Sequence, residues 1–148
     1  MILVDLIDRI VSIANESEQF ATVGKYLKIG KSIKLPACDV EIGDFDIGEN
    51  PGTEQLEIGA RFELRVIVGS EIPNAQEIVR SLAVNIATTI FKEKRLNENC
   101  GAWEIVDIEE DLFRPDLSSF LVWLVTIRVP IYNGESVFKL NSEDIITC

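Results

Sequence analysis

One segment of the chain alternates between apolar and polar residues for longer than a helix allows. Its apolar residues stand at every second position: Leu56, Ile58, Ala60, Phe62, Leu64, Val66 and Val68. Most of the residues between them are charged or glycine. Because successive side chains of a strand point to opposite faces of a sheet, this period of two predicts a long strand with one buried and one solvated face. The chain must therefore build a sheet and cover one side of it.

Two other segments have the apolar spacing of amphipathic helices. Apolar side chains recur at every third or fourth position over residues 2–15 and again over residues 74–94. Asn74 and Glu77 approximate a capping box at the start of the second helix. Basic residues lie in its last turn, where they favour the negative end of the helix dipole. Each helix therefore offers one apolar face to the sheet.

Shorter patterns predict the remaining strands and one loop. Strands are expected over residues 37–42, 103–108 and 120–131, with a further short strand near residues 26–29. The stretch from Gly43 to Gln55 contains three glycines and a proline, which predicts a surface loop. Such loops often carry contacts, so we expect a partner to order this one.

The last predicted strand is apolar on both faces where it begins. Phe120, Val122 and Leu124 share one face, and a longer apolar series fills the other. A strand of this kind is normally central and covered on both sides. If both helices pack on one side, the patch on the other side needs a cover. A neighbouring subunit and the C-terminal tail are the two candidates.

The order of elements predicts the fold class. Helix, strands, helix and strands indicate an α+β fold, with a mixed, mostly antiparallel sheet and two main helices packed chiefly on one face. One domain is expected over residues 1–132, followed by a weakly patterned tail over residues 133–148. A chain of 148 residues can bury about two-thirds of its unfolded surface, so this fold requires no disulfide or metal.

The chain lacks the residues on which most enzyme chemistry depends. It contains no histidine, which removes the commonest general base and metal ligand. No glycine-rich phosphate motif is present, and the three cysteines form no CxxC pair. We therefore expect a protein that is not an enzyme, with no catalytic residue, metal or cofactor. A hydrolase using a carboxylate pair stays open, because 25 acidic residues must place some pairs close together.

Charge and hydropathy limit the partners and the location. The net charge of −11 disfavours binding to nucleic-acid phosphates and to anionic membranes. The longest apolar run, Phe120 to Val125, is too short to span a bilayer as a helix. The first residues lack the basic segment and cleavage site of a signal peptide. We expect a cytoplasmic protein with reduced thiols.

Charged residues are segregated along the chain. Four lysines follow at a spacing of three with no acid among them: Lys25, Lys28, Lys31 and Lys34. Seven acids and no base lie between residues 35 and 60, and six acids lie between residues 104 and 116. Blocks of opposite sign suit a head-to-tail contact between copies, and such contacts can close into a ring. The alternative is that both blocks are solvated faces.

These features nominate the residues that a second copy or another protein would contact. Besides the four lysines they are Asp44, Asp46, Glu49, Asp111, Arg114, Phe120, Val122 and Leu124. Asp44 and Asp46 also suggest a calcium loop, but the EF-hand pattern fails, because Glu49 replaces its glycine and Gln55 its glutamate. A solvated loop is the simpler explanation.

The order of the segments resembles a known family. An N-terminal amphipathic helix leads to Pro-Ala-Cys-Asp-Val at residues 36–40, and a long alternating strand and a long helix follow. Trp-Glu-Ile-Val comes at residues 103–106, an acidic turn with Asp-Leu-Phe at 111–113, and a strand ending in Arg-Val-Pro-Ile at 128–131. This arrangement, over roughly residues 1–132, resembles the tail-terminator or tail-completion proteins of tailed bacteriophages, including those of contractile-tailed phages and prophages.

The resemblance implies a structural role in virion assembly. A protein of this family would form a ring, expected to be a hexamer, on the last ring of the tail tube. It would stop the growth of tube and sheath and present a surface to the head connector or other neck proteins. DNA would only pass through the lumen, and no membrane would be involved. The protein would occupy the host cytoplasm during assembly and then the virion tail or neck.

Other functions remain compatible with the sequence. One is a different neck or tail component, such as a head-closure protein. Another is a stand-alone regulatory or small-molecule-binding α+β domain, monomeric or dimeric, with one enclosed apolar pocket. The carboxylate hydrolase is the last. Native mass and electron micrographs would separate these functions, because only a tail terminator or another neck or tail component belongs to a large assembly.

Overall fold

Two helices and five strands make up the part of the chain that the computed structural model describes, namely residues 2–28, 32–48, 57–93, 103–111 and 119–132. In chain order they are α1 (Ile2–Glu16), β1 (Thr22–Lys25), β2 (Ala37–Ile47), β3 (Glu57–Gly69), α2 (Ala75–Lys92), β4 (Glu104–Glu110) and β5 (Phe120–Tyr132). Neither helix in these ranges is long and apolar enough to cross a membrane.

The strands form one mixed sheet in the order β1-β2-β3-β5-β4. β1 runs parallel to β2, whereas the other neighbouring strands are antiparallel. β3 and β5 pair along their whole length, from Glu57 opposite Tyr132 to Gly69 opposite Phe120. The predicted α+β fold with a mostly antiparallel sheet is confirmed.

Both helices pack on the same face of this sheet. Phe62 and Leu64 of β3 are fully buried in one cluster with Ile10 of α1 and Ile86 of α2. Burial of an apolar side chain of this size contributes about 1.5–3 kcal/mol. The opposite face, which we call the outer face, carries no helix among the described residues. Its side chains come from the polar positions of the alternating strand.

Part of the apolar patch on the outer face is covered by the chain itself. Val122 is buried with Ala37 and Ile67, and Ile33, Leu35 and Phe120 pack against these three. The segment just before β2 therefore lies over the start of β5. This contact within the subunit was not among the covers expected for the patch, which were a neighbouring subunit and the C-terminal tail. Residues 133–148 lie outside the described residues.

The loop expected from Gly43 to Gln55 is strand at its start. After a bulge between Ile42 and Phe45, β2 pairs again with β3 through Ile47, which lies opposite Ile58. The long partner strand supplies hydrogen-bonding groups along this stretch, and this outweighs the low strand preference of glycine. Residues 49–55 lie outside the described residues.

Two further local predictions were wrong. The first strand covers Thr22–Lys25 rather than residues 26–29, and Tyr26, with a φ of 49°, ends it in the left-handed region. Asn74 also has a left-handed backbone, with a φ of 58°, and its side chain forms no capping hydrogen bond. An N-cap side chain normally reaches the helix from an extended backbone, so the expected capping box cannot form.

Candidate assembly surface

The outer face of the sheet is built around three arginines. Arg61 and Arg65 stand at alternate positions of β3, and Arg128 of β5 lies directly opposite Arg61. The alternation that buries the apolar residues of β3 against the helices places these arginines on the opposite side. The outer face is therefore strongly charged along its centre.

Arg128 joins carboxylates from three strands. Its Nη2 lies 2.8 Å from Oδ1 of Asp46, and its Nη1 lies 3.2 Å from Oε1 of Glu57 and 3.9 Å from Oε1 of Glu104. Arg61 also binds Asp46, with Nε 3.0 Å from Oδ2. Asp46 therefore bridges two guanidinium groups, and the hydrogen bond from Arg128 in particular lowers the pKa of this carboxyl.

A glycine in β3 makes this arrangement possible. A Cβ at Gly59 would collide with the guanidinium of Arg128, which passes over the backbone there. Any other residue at this position would displace Arg128 from Asp46. Gly59, which stands among the charged positions of the alternating strand, thus leaves the space that the Arg128 side chain occupies.

Arg65 forms a second centre further along the same face. Its Nε donates to Oδ2 of Asp111 at 2.9 Å, and its other nitrogens lie 3.2 Å from Glu63 and 3.5 Å from Glu41. The Arg65 side chain is only 12% exposed and that of Asp111 only 7%. Burial makes these interactions more costly to break than ordinary surface pairs.

Asp39, opposite Arg65 on β2, is fully buried. Its Oδ1 accepts the backbone N–H of Leu27 at 2.7 Å, which ties the segment after β1 to the sheet. Burial, reinforced by a hydrogen bond with Glu41, raises the pKa of Asp39 to about 7. The neighbouring Cys38 is also buried, which raises the pKa of its thiol to about 12 and keeps it protonated.

One end of the outer face opens into a groove of about 490 Å³. Its lining is Asp46, Ile47, Gly48, Glu57, Arg61, Glu104 and Arg128. Small-molecule pockets are usually lined by apolar and aromatic side chains. This groove has one such residue, so its chemistry suits contact with charged groups of another protein better than an enclosed ligand.

The calcium reading of Asp44 and Asp46 does not fit the geometry. Asp46 already binds two arginines, and positive charge at that distance opposes a cation. Within the ranges that the structure describes, no three acidic or cysteine side chains are arranged to hold a metal ion.

The proposed basic stretch lies at one edge of the sheet. Lys25 ends β1 and pairs with Asp8 of α1, with Nζ 2.7 Å from Oδ1. Lys28 and Lys34 are exposed. Lys34 adjoins β1, because its carbonyl accepts the hydroxyl of Thr22 at 2.8 Å. Lys31 lies outside the described residues.

The other nominated residues are scattered. Asp44 is exposed on β2, Leu124 is half-buried between Arg65 and Glu109, and Phe120 is half-buried. Asp46, Asp111 and Val122 are engaged within the subunit, as described above. Glu49 and Arg114 lie outside the described residues. The structure thus brings Lys25, Lys28 and Lys34 to one region but does not gather the nominated acids there.

The opposite edge of the sheet is acidic, a feature that the sequence analysis did not separate from its broader acidic block. Four acids of β4 are exposed: Glu104, Asp107, Glu109 and Glu110. Because β1 and β4 are the outermost strands of the described sheet, the lysines and these acids lie on opposite edges.

Comparison with known proteins finds likenesses among solved structures. No family model and no curated protein sequence matches the chain. Among solved structures, the fold is similar to that of a chain in the virion of a native gene transfer agent particle. The TM-score is 0.52, with 10% sequence identity, and the similarity covers 84% of each chain. The likeness is one of fold.

Proposed function

We propose that this chain is a structural protein of a tailed-phage-like particle and that it caps the tail tube as a homo-oligomeric ring. The observation that carries the proposal is the shared fold with a chain of a gene transfer agent virion, which extends over 84% of both chains. The order of segments that resembles tail-terminator proteins supports the same role. The ring would stop the growth of tube and sheath and form the joint to the head connector.

The charge distribution is suited to this role. Arg61, Arg65 and Arg128 are each paired with carboxylates of the same subunit, so the described part of the outer face offers DNA no unpaired guanidinium. A protein with a net charge of −11 repels the DNA backbone, which lets DNA pass through a lumen without being held. The opposite charges at the two sheet edges favour contact between different surfaces of neighbouring copies.

A head-closure or other neck protein is the second candidate. The fold likeness is to a virion chain and does not distinguish positions within a particle. The two candidates differ in what they bind first. A tail terminator binds the end of a finished tube in the absence of heads, whereas a head-closure protein binds the head connector in the absence of tails.

Electron microscopy of binding reactions tests the proposal. We expect the purified chain to form rings, alone at high concentration or on tail tubes assembled from the tube protein of the same particle. The rings should sit at one end of each tube. Binding to isolated head connectors but not to tubes would favour the head-closure role. Binding to neither would contradict both.

A further inference from the structure

The described sheet ends in two strands of opposite charge. β1 and β4 each have a neighbour on one side only within the described residues. Strands at the edge of a sheet present N–H and C=O groups that can pair with another chain. The charge of each edge determines which chain fits.

The acids of β4 disfavour pairing with the β4 edge of a second copy and favour pairing with a basic edge. Two β4 edges would bring Asp107 and Glu109 of one copy against the same acids of the next, and like charges directly opposite destabilise a strand pair. The β1 edge carries Lys25, Lys28 and Lys34 instead. Repulsion between identical edges and attraction between different edges together specify a head-to-tail contact.

The lengths and directions of the two strands also agree. β1 runs parallel to β2, and three successive antiparallel pairings then leave β4 running opposite to β1. If neighbouring copies keep the same orientation around a ring axis, β4 of one copy meets β1 of the next antiparallel. Beyond its irregularity between Ile105 and Asp107, β4 is regular over Asp107–Glu110, which is long enough to pair with residues 22–24 of β1.

The faces of the two strands match as well. Val23 of β1 and Ile108 of β4 both pack against the helix-covered core. Alternation places Thr22 on the outer face with Asp107 and Glu109. A sheet continued across copies therefore keeps all helices on one side, sets Val23 beside Ile108, and brings Lys34, which adjoins Thr22, towards the acids of β4.

We infer that β1 of one copy pairs antiparallel with β4 of the next copy, residues 22–24 with residues 107–109, so that the sheet continues from subunit to subunit. The inference rests on the proposed ring and specifies the contact that closes it. Pairing of this kind is β-strand addition, in which main-chain hydrogen bonds supply affinity and side chains supply specificity.

Chemical cross-linking tests this contact directly. Thr22→Cys and Glu109→Cys are combined in a chain carrying Cys100→Ser and Cys148→Ser, and a short bis-maleimide is added to assembled rings. Three strands separate the two edges within one copy, so the two thiols of a single subunit are roughly 19 Å apart and cannot be joined by a short linker. We expect a ladder of covalent oligomers ending at the ring.

Each single-cysteine variant is the matched control and should remain monomeric after cross-linking, because a head-to-tail contact never brings two identical edges together. Rings without a ladder would overturn the strand pairing and leave the proposed function intact. Failure to form rings, both alone and with tail tubes, would overturn both.

Charge exchange provides an independent test. Lys28→Glu with Lys34→Glu should raise the concentration needed for assembly about three- to thirtyfold, given the usual strength of exposed pairs. Adding Asp107→Lys and Glu109→Lys to the same chain should restore assembly, and Lys92→Glu, at the end of α2, should leave it unchanged. Loss without rescue would show that the lysines act elsewhere and would contradict the assigned contact.

Discussion

At the scale of single residues, Arg128 links four strands of the outer face. Its guanidinium contacts acids of β2, β3 and β4 while belonging to β5. The Arg128 side chain is 15% exposed, against 39% for Arg61, which shares Asp46 with it. The same type of ion pair therefore has two different surroundings within a few ångströms.

Replacing these two arginines should separate the effects of burial. Arg128→Met should lower the free energy of unfolding by about 2–4 kcal/mol, because it leaves partly buried carboxylates without a partner. Arg61→Met should cost less than about 1 kcal/mol, since its pair is more exposed. Urea unfolding measures both values. Equal losses would contradict the structural role given to Arg128.

The raised pKa of Asp39 makes the stability of the fold depend on pH. Its pKa is raised from the usual 3.8 to about 7 in the folded chain, so the folded state holds its proton more tightly than the unfolded state. Ionisation in the folded state is unfavourable, and this group's contribution to stability therefore falls as pH rises from about 4 to about 7.

Asp39→Asn should remove that fall while keeping an acceptor for the N–H of Leu27. The free energy of unfolding of the variant, relative to that of the native chain, should rise by about 1–3 kcal/mol as the pH rises from 5 to 8. Urea unfolding at each pH measures this difference. Asp44→Asn is the control, because it removes the same charge from an exposed position of the same strand. A gain that is independent of pH, or equal in the two variants, would contradict this account.

The sequence predicts which face these residues occupy but not their partners. Arg61 and Arg65 stand at the polar positions of the alternating segment, so their place on the solvated face follows from period alone. Apart from Glu63, which lies on the same strand as Arg65, their carboxylate partners lie on β2 or just after β4, with Asp46 at a separation of 15 residues and Asp111 at 46. Those pairs require the strand order, which local patterns do not contain.

At the scale of elements, strong periodicity predicted well and weak patterns did not. The two helices and the long alternating strand have many buried positions, so one residue that departs from the apolar pattern does not change which element is predicted. The extension of β2 past its bulge depends on pairing with β3 rather than on its own composition. Tyr26 and Asn74 adopt left-handed backbones, and no local pattern marked either position.

The packing of α2 on the sheet can be tested with neighbouring positions of the helix. Ile86 is fully buried, whereas Val84 is 51% exposed. Ile86→Ala should lower the free energy of unfolding by about 2–5 kcal/mol, because it creates a cavity in the shared core. Val84→Ala should change it by less than about 0.5 kcal/mol. Similar losses in chemical unfolding would mean that α2 presents a different face to the sheet.

At the scale of the whole molecule, the charges segregated along the sequence lie at opposite edges of the sheet. The four-lysine block begins at β1. The acidic block of residues 104–116 begins in β4, at the opposite edge of the described sheet. Contacts between such edges join unlike surfaces, and repeated contacts of this type form rings when the rotation closes. The acidic block between residues 35 and 60 instead supplies Asp46, which binds Arg61 and Arg128 within the subunit.

An edge contact assisted by charge should respond to salt. Raising NaCl from 50 mM to 500 mM should shift rings towards monomers in sedimentation experiments without tail tubes, because exposed charges are increasingly screened. The internal pairs of Arg65 are largely buried, so the unfolding free energy of the monomer should change less. Rings that become more stable with salt would point to an apolar contact instead.

The most direct measurement of the proposed function is the distribution of tail lengths in particles produced without this chain. If the chain terminates tails, its removal should give tubes of variable and excessive length that fail to join heads, and supplying the native chain or Lys92→Glu should restore one length and joined heads. Tails of normal, uniform length that still lack heads would place the chain at head closure. Normal particles with joined heads would contradict the account.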